Sequence, residues 1–134
     1  MESHSDKVIT HLSINENLCG TPIYTHDGKS RVRLATSVDM AADDSGLVHG
    51  GFIFGLADYA AMIAVNHPHV VLGSSEIKFL KPVQAGDLLI ASANTETTTG
   101  KKRIVTVSVT RNGDEVFTGL FTCFVLEKHV LSGT

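Results

Sequence analysis

The sequence predicts an α+β domain in which an antiparallel β-sheet curls around one long buried helix. Residues 52–65, FIFGLADYAAMIAV, are apolar almost all the way round, without the alternation of a half-buried strand or the polar face of a surface helix. From residue 70 onward the chain reads as strand upon strand with turn signals between. With a hairpin ahead of the helix, only the sheet is available to cover so apolar a segment.

Each element has its own signal. Residues 8–18 carry a weak amphipathic pattern (Val8, Ile9, Leu12, Leu18) that reads as a short helix, followed by a loop through Gly20-Thr21-Pro22. Residues 23–25 and 31–38 alternate or nearly so around His26-Asp27-Gly28-Lys29, the pattern of a β-hairpin. Residues 41–46 are small and polar, hence a loop. The small residues Gly55, Ala57, Ala60, Ala61 and Ala64 let a sheet or partner helix approach the long helix closely, and residues 66–68 end it. Strands follow at 70–79, at 88–97, around the β-branched Ile104, Val105, Val107 and Val109, and at 116–126, with Asn112-Gly113 marking the last hairpin.

The 134 residues fit one domain: a lead-in over 1–20, a core over 21–127 and a tail over 128–134. A net charge of −3 gives no basic excess for a nucleic-acid partner. Residues 1–7 are polar, with no apolar signal core, and no stretch nears the ~20 apolar residues of a membrane span. The expectation is a cytoplasmic protein with no nucleic-acid or membrane partner. Cys19 and Cys123 stand in unrelated contexts, the histidines form no ligand set with them, and His67 and His69 flank Pro68 in a turn, so no metal is expected.

Two features carry chemistry. Asp58 interrupts the buried helix at mid-length, where a carboxylate costs several kcal/mol unless solvated, paired or protonated. Caps belong at helix ends, and desolvation raises a carboxyl pKa toward that of a neutral-pH general base. His49-Gly50-Gly51 stands at the helix entrance. Two glycines let a ligand reach the backbone there, and free amides at the positive end of the helix dipole suit a developing oxyanion; making a tight turn is their simpler role. His49 and Asp58 are nine residues apart, roughly 13 Å along one helix. They can serve one carbonyl together only if the helix entrance of one subunit faces Asp58 of another, which implies at least a dimer.

The segment GLVHGGFIFGLAD, residues 46–58, resembles the G-x-x-H-G-G-x-x-x-x-L-x-D signature of the PaaI-like hotdog thioesterases. FLKPVQAGD, residues 79–87, resembles that family's second hallmark, F-L-R/K-P-x-x-x-G-D, and the likeness covers about residues 20–127. The resemblance implies a hotdog fold and an acyl-CoA thioesterase without a separate cofactor, coenzyme A being part of the substrate. Asp58 matches the family's nucleophile or general base, Gly50 and Gly51 the backbone that polarises the thioester carbonyl, and His49 the histidine that orders that turn. Relatives are commonly dimers of dimers with coenzyme A along the subunit interface, so a homodimer or homotetramer is expected. Ser74, Ser75 and Phe79 lie on the strand that lines the site in relatives. Lys101, Lys102 and Arg103 are candidate phosphate contacts, and equally a solvated turn.

Asp43 departs from the pattern, since many relatives carry Asn three residues before the first glycine of the signature. An ionised Asp cannot donate a hydrogen bond to a carbonyl or water, which favours an alternative: a non-catalytic acyl-CoA-binding protein with a sensing or regulatory role. A hotdog dehydratase would need a Pro- and Gly-rich histidine motif ahead of the helix, and none is present. Which of Phe52, Phe54, Tyr59, Ile77 and Phe79 face an acyl group is not legible from the sequence.

Overall fold

A computed structural model describes residues 4–133; the readings for residues 1–3 and 134 lie outside the described residues. The elements run α1 (Glu16–Cys19), β1 (Thr21–His26), β2 (Lys29–Ala35), α2 (Gly50–Val65), β3 (Val70–Phe79), β4 (Leu88–Thr99), β5 (Lys102–Arg111) and β6 (Asp114–Val125), with 3-10 turns at Val38–Met40 and Val130–Gly133. All six strands form one sheet in the order β1-β2-β4-β5-β6-β3, every neighbouring pair antiparallel. The sheet wraps α2, as the periodicity predicts, and this is the hotdog architecture.

The core lies between α2 and the inner face of the sheet. Leu56, Ala57, Ala60, Ala61 and Ile63 of α2 are fully buried, as are Val32, Leu89, Ala91, Val105, Val109, Phe117 and Phe121 of the strands. The alanines bring the helix backbone close enough for side chains of the sheet to bond it. Ser30 Oγ donates to the Ala60 carbonyl at 2.6 Å, and Thr25 Oγ1 to the Ile63 carbonyl at 2.8 Å, so these buried hydroxyls are satisfied. The Asn112-Gly113 turn has φ of 52° and 83°, the pair of left-handed residues that a two-residue hairpin loop requires.

Several boundaries differ from the sequence reading, and β1 already begins at Thr21, inside the loop expected through Gly20-Thr21-Pro22, because Thr21 and Pro22 pair with Arg33 and Val32 of β2. The helix expected within residues 8–18 shrinks to the single turn Glu16–Cys19, capped by the Asn15 side chain accepting from the Asn17 amide. The rest of the lead-in is tied down by tertiary hydrogen bonds. Asn66, left-handed at the C-cap of α2, accepts from the Ile9 amide at 2.9 Å and donates to the Lys7 carbonyl at 3.0 Å. The strand expected to reach Val38 stops at Ala35. There the Thr36 amide and hydroxyl both turn to the Asp87 carbonyl, at 3.0 and 2.6 Å, and Val38 is left 80% exposed.

Gly20 joins α1 to β1 at φ 106°, where a Cβ would stand 2.8 Å from Val32 Cγ1, 2.9 Å from Leu56 Cδ1 and 3.0 Å from the Arg33 carbonyl oxygen. Neither the core nor the backbone can yield cheaply. Gly20→Ala should therefore lower stability by roughly 2–4 kcal/mol, combining overpacking with backbone strain. A urea-denaturation midpoint equal to that of the wild type would refute this close approach.

Candidate active site

The second sequence motif builds the support for the first. Asp87 accepts from the Gln84 amide at 2.9 Å and from Arg111 at 3.1 Å, and Arg111 also donates to the Pro82 carbonyl at 2.7 Å, which closes the loop after β3. That loop grips the segment entering α2. The Val48 amide donates to the Val83 carbonyl at 2.8 Å, the Ala85 amide to the Gly46 carbonyl at 2.8 Å, and Leu47 bridges Gln84. The His49 amide donates to the Met40 carbonyl at 2.9 Å. His49 is thereby held as the N-cap of α2, with no cap bond from its own side chain.

The helix begins at Gly50, so both glycines belong to its first turn. Their amides have no intrahelical acceptor, and among the described residues no other hydrogen bond takes them. The first turn carries no acidic side chain to neutralise the positive end of the dipole. The glycines also make room for rings. A Cβ on Gly50 would lie 3.1 Å from Phe79 Cε1, and one on Gly51 would lie 3.1 Å from His49 Cδ2. Phe79 itself rests edge-on against Phe117, centroids 5.2 Å apart. A cavity of 290 Å³ opens here, lined by Leu47, Gly50, Ile53, Phe79, Leu80 and Val83 among others.

Asp58 lies two turns further along α2, with its Oδ1 buried and without a hydrogen-bond partner among the described residues. Burial alone pushes its carboxyl up to about 6. Two thiols share its surroundings, Cys19 on α1 and Cys123 on β6. Burial raises the Cys19 pKa, and burial pushes Cys123 up to about 12, with the nearby Asp58 charge adding to both. At neutral pH the Cys123 thiol stays protonated and is no nucleophile. The sequence offers no hint of this grouping, because residues 19, 58 and 123 meet only through the topology of the sheet.

Along one helix, Gly50 and Asp58 are eight residues apart, about 12 Å. One chain thus holds the entrance amides and the Asp58 carboxylate without bringing them together. Gly51, Gly55 and Asp58 fall on one stripe of α2, and a Cβ on Gly55 would meet nothing within 4 Å, so the stripe is open at that point.

The remaining predicted site residues are scattered. Ser75 shares the inner face of the sheet with Phe79, opposite Phe121, whereas Ser74 pairs with Thr122 on the outer face. The Asp43 carboxylate accepts from the Ser45 amide and hydroxyl, and the hydroxyl bond first holds its pKa low, so it closes its own exposed loop. Lys101 and Lys102 sit exposed at the β4–β5 turn, and Arg103 donates to the Gly100 carbonyl at 2.7 Å. Lys102 pairs with Phe124 while Phe79 pairs with Phe117, seven residues away on β6, roughly 23 Å. Within one chain these cations are remote from the helix entrance.

The thioesterase superfamily model matches residues 45–118, which span both motifs and more than half of the chain. The chain belongs to the thioesterase superfamily. Among solved structures, an uncharacterized protein from Pyrococcus horikoshii is 51% identical with a TM-score of 0.94, covering 96% of this chain and 98% of that one. A mutant of the phenylacetic acid degradation protein PaaI from Thermus thermophilus is 28% identical with a TM-score of 0.76, covering 83% and 96%. Among curated proteins, methylthioribose-1-phosphate isomerase of Aquifex aeolicus is 50% identical over 88% of this chain but 26% of its own length. Transcription factor FapR of Caldanaerobacter subterraneus is 32% identical over 69% of this chain and 46% of its own. The chain spans a quarter to a half of these curated relatives, so their whole-protein activities do not transfer to it. Among the described residues no helix of this superfamily member is long and apolar enough to cross a membrane.

Proposed function

We propose that the protein hydrolyses acyl-CoA thioesters to a carboxylic acid and free coenzyme A, at sites completed by a second copy of the chain. The observation that carries this reading is the half-buried Asp58 carboxyl, its Oδ1 buried and unpartnered among the described residues and its pKa pushed up to about 6, on the same helix as two uncommitted entrance amides. A thioester carbonyl seated on the Gly50 and Gly51 amides of one subunit would gain negative charge there as it is attacked. Asp58 of the other subunit, ionised at neutral pH yet poorly solvated, takes a proton from the attacking water or attacks directly. The apolar cavity beside Phe79 and Leu80 suits the acyl portion next to the carbonyl.

A second reading is favoured by the likeness to a transcription factor and by Asp43, whose ionised carboxylate only accepts hydrogen bonds: the groove binds acyl-CoA as a signal, without turnover. Thiol release from a panel of acyl-CoAs, beside the Asp58→Ala variant, separates the two. Turnover that disappears in a folded variant supports hydrolysis. Saturable acyl-CoA binding by calorimetry, with no thiol released from any substrate, supports the binding role and rejects hydrolysis.

A further inference from the structure

A cluster outside the site described above, distant from Asp58 in sequence, has its own chemistry. His4, Asp6 and His26 gather at the turn end of the first hairpin. His4 Nε2 lies 2.8 Å from Asp6 Oδ1, and His26 Nδ1 lies 3.2 Å from Asp6 Oδ2, so the carboxylate bridges two imidazoles with a separate oxygen for each. The two rings meet edge to face with centroids 5.0 Å apart. One ligand atom from each of the three residues lies within 4.8 Å of the others, and among the described residues no other His, Cys, Asp and Glu side chains gather in this way.

We propose that His4, Asp6 and His26 form a binding site for a divalent transition-metal ion, with Zn²⁺ as the principal occupant. Zn²⁺ binds imidazole nitrogen and carboxylate oxygen at about 2.0–2.2 Å, which sets tetrahedral donors roughly 3.4 Å apart. The observed separations of 2.8 and 3.2 Å run to different carboxylate oxygens, and one ligand atom from each residue lies within 4.8 Å of the others, so an ion enters once the side chains turn to converge on it. It replaces the protons that now lie between the imidazoles and the carboxylate, and water completes the fourth position. Two imidazoles and a carboxylate favour Zn²⁺ and its neighbours over Mg²⁺, which prefers an all-oxygen octahedron.

The frame behind the donors is already in place. The Asp6 amide donates to the Thr25 carbonyl at 2.7 Å, and the Thr25 amide donates to Ser5 Oγ at 3.1 Å, which lays the lead-in beside β1 and fixes Asp6 next to His26. All three side chains are exposed, open to an ion from solution. A bound ion would cross-link the lead-in to the first hairpin.

The test is a ZnCl₂ titration of the untagged, chelator-stripped full chain by calorimetry, with thermal melting alongside. One saturable ion per chain and a raised Tm are expected, with no response to MgCl₂. Asp6→Ala and His26→Ala, both at exposed positions and each checked for folding by circular dichroism, should weaken binding about tenfold or more. His129→Ala, outside the cluster, should bind as the wild type does. The absence of saturable Zn²⁺ binding, or undiminished binding in both cluster variants, would overturn the proposal.

Discussion

Asp58→Asn should remove thioester hydrolysis while making the fold more stable at neutral and alkaline pH. The loss in kcat/KM should be roughly 10²–10⁴-fold, the range attributed to a positioned general base. The stability effect follows from the direction of the pKa shift. Burial raises the Asp58 carboxyl from 3.8 to about 6, so the folded chain holds a proton that the unfolded chain releases between those values. Below about pH 4 both states are protonated and the residue is neutral in its effect. Stability therefore falls as pH rises from about 4 to about 6, by at most about 3 kcal/mol at 1.36 kcal/mol per pKa unit, and levels off above that, where both states are ionised. The Asn variant carries no such term. Urea denaturation should show a gain of about 1–3 kcal/mol over the wild type at pH 8 and almost none at pH 4. Equal stability at both pH values would mean that the Asp58 carboxylate is solvated or paired.

Phe117→Ala should be the most damaging core substitution, lowering stability by roughly 3–5 kcal/mol. Phe117 is fully buried on β6 and packs against Phe79 at 5.2 Å and Phe121 at 6.5 Å, while Phe121 meets Phe54 of α2 at 5.6 Å. This chain of rings joins β3, β6 and the helix, and Phe79 in turn covers Gly50. Removing Phe117 from within this row opens a cavity and frees Phe79 from the helix entrance. Against the 5–15 kcal/mol typical of a domain, such a loss leaves the protein marginal. Urea denaturation checks the magnitude, and a change below about 1 kcal/mol would mean that the ring row is not packed as described.

Much of the sheet was legible because its periodicities are strong and its turns chemically explicit. Asn112-Gly113 admits little besides a tight hairpin, and an unbroken apolar run of helical length needs a sheet around it. The lead-in was not legible, since hydrogen bonds from Asn66 and Thr25, both distant in sequence, decide its path. Asp58 stood out because a charge within an apolar helix demands an explanation. The loop 79–87 was recognisable as a motif, but its work as a brace for the helix entrance depends on Asp87 and Arg111 meeting across 24 residues. The same limit hid Cys19 and Cys123 beside Asp58, and His26 beside His4 and Asp6. Spacing along the chain reveals local clusters, whereas these form only when β1 folds back on the lead-in and β6 crosses beneath α2.

The measurement that bears most directly on Asp58 as the working base is the pH dependence of kcat/KM for thioester hydrolysis from pH 4.5 to 8.5. A limb rising with an apparent pKa near 6, and nearly abolished in Asp58→Asn, is expected. A midpoint near 4, or a profile unchanged in the variant, would show that another group carries the reaction.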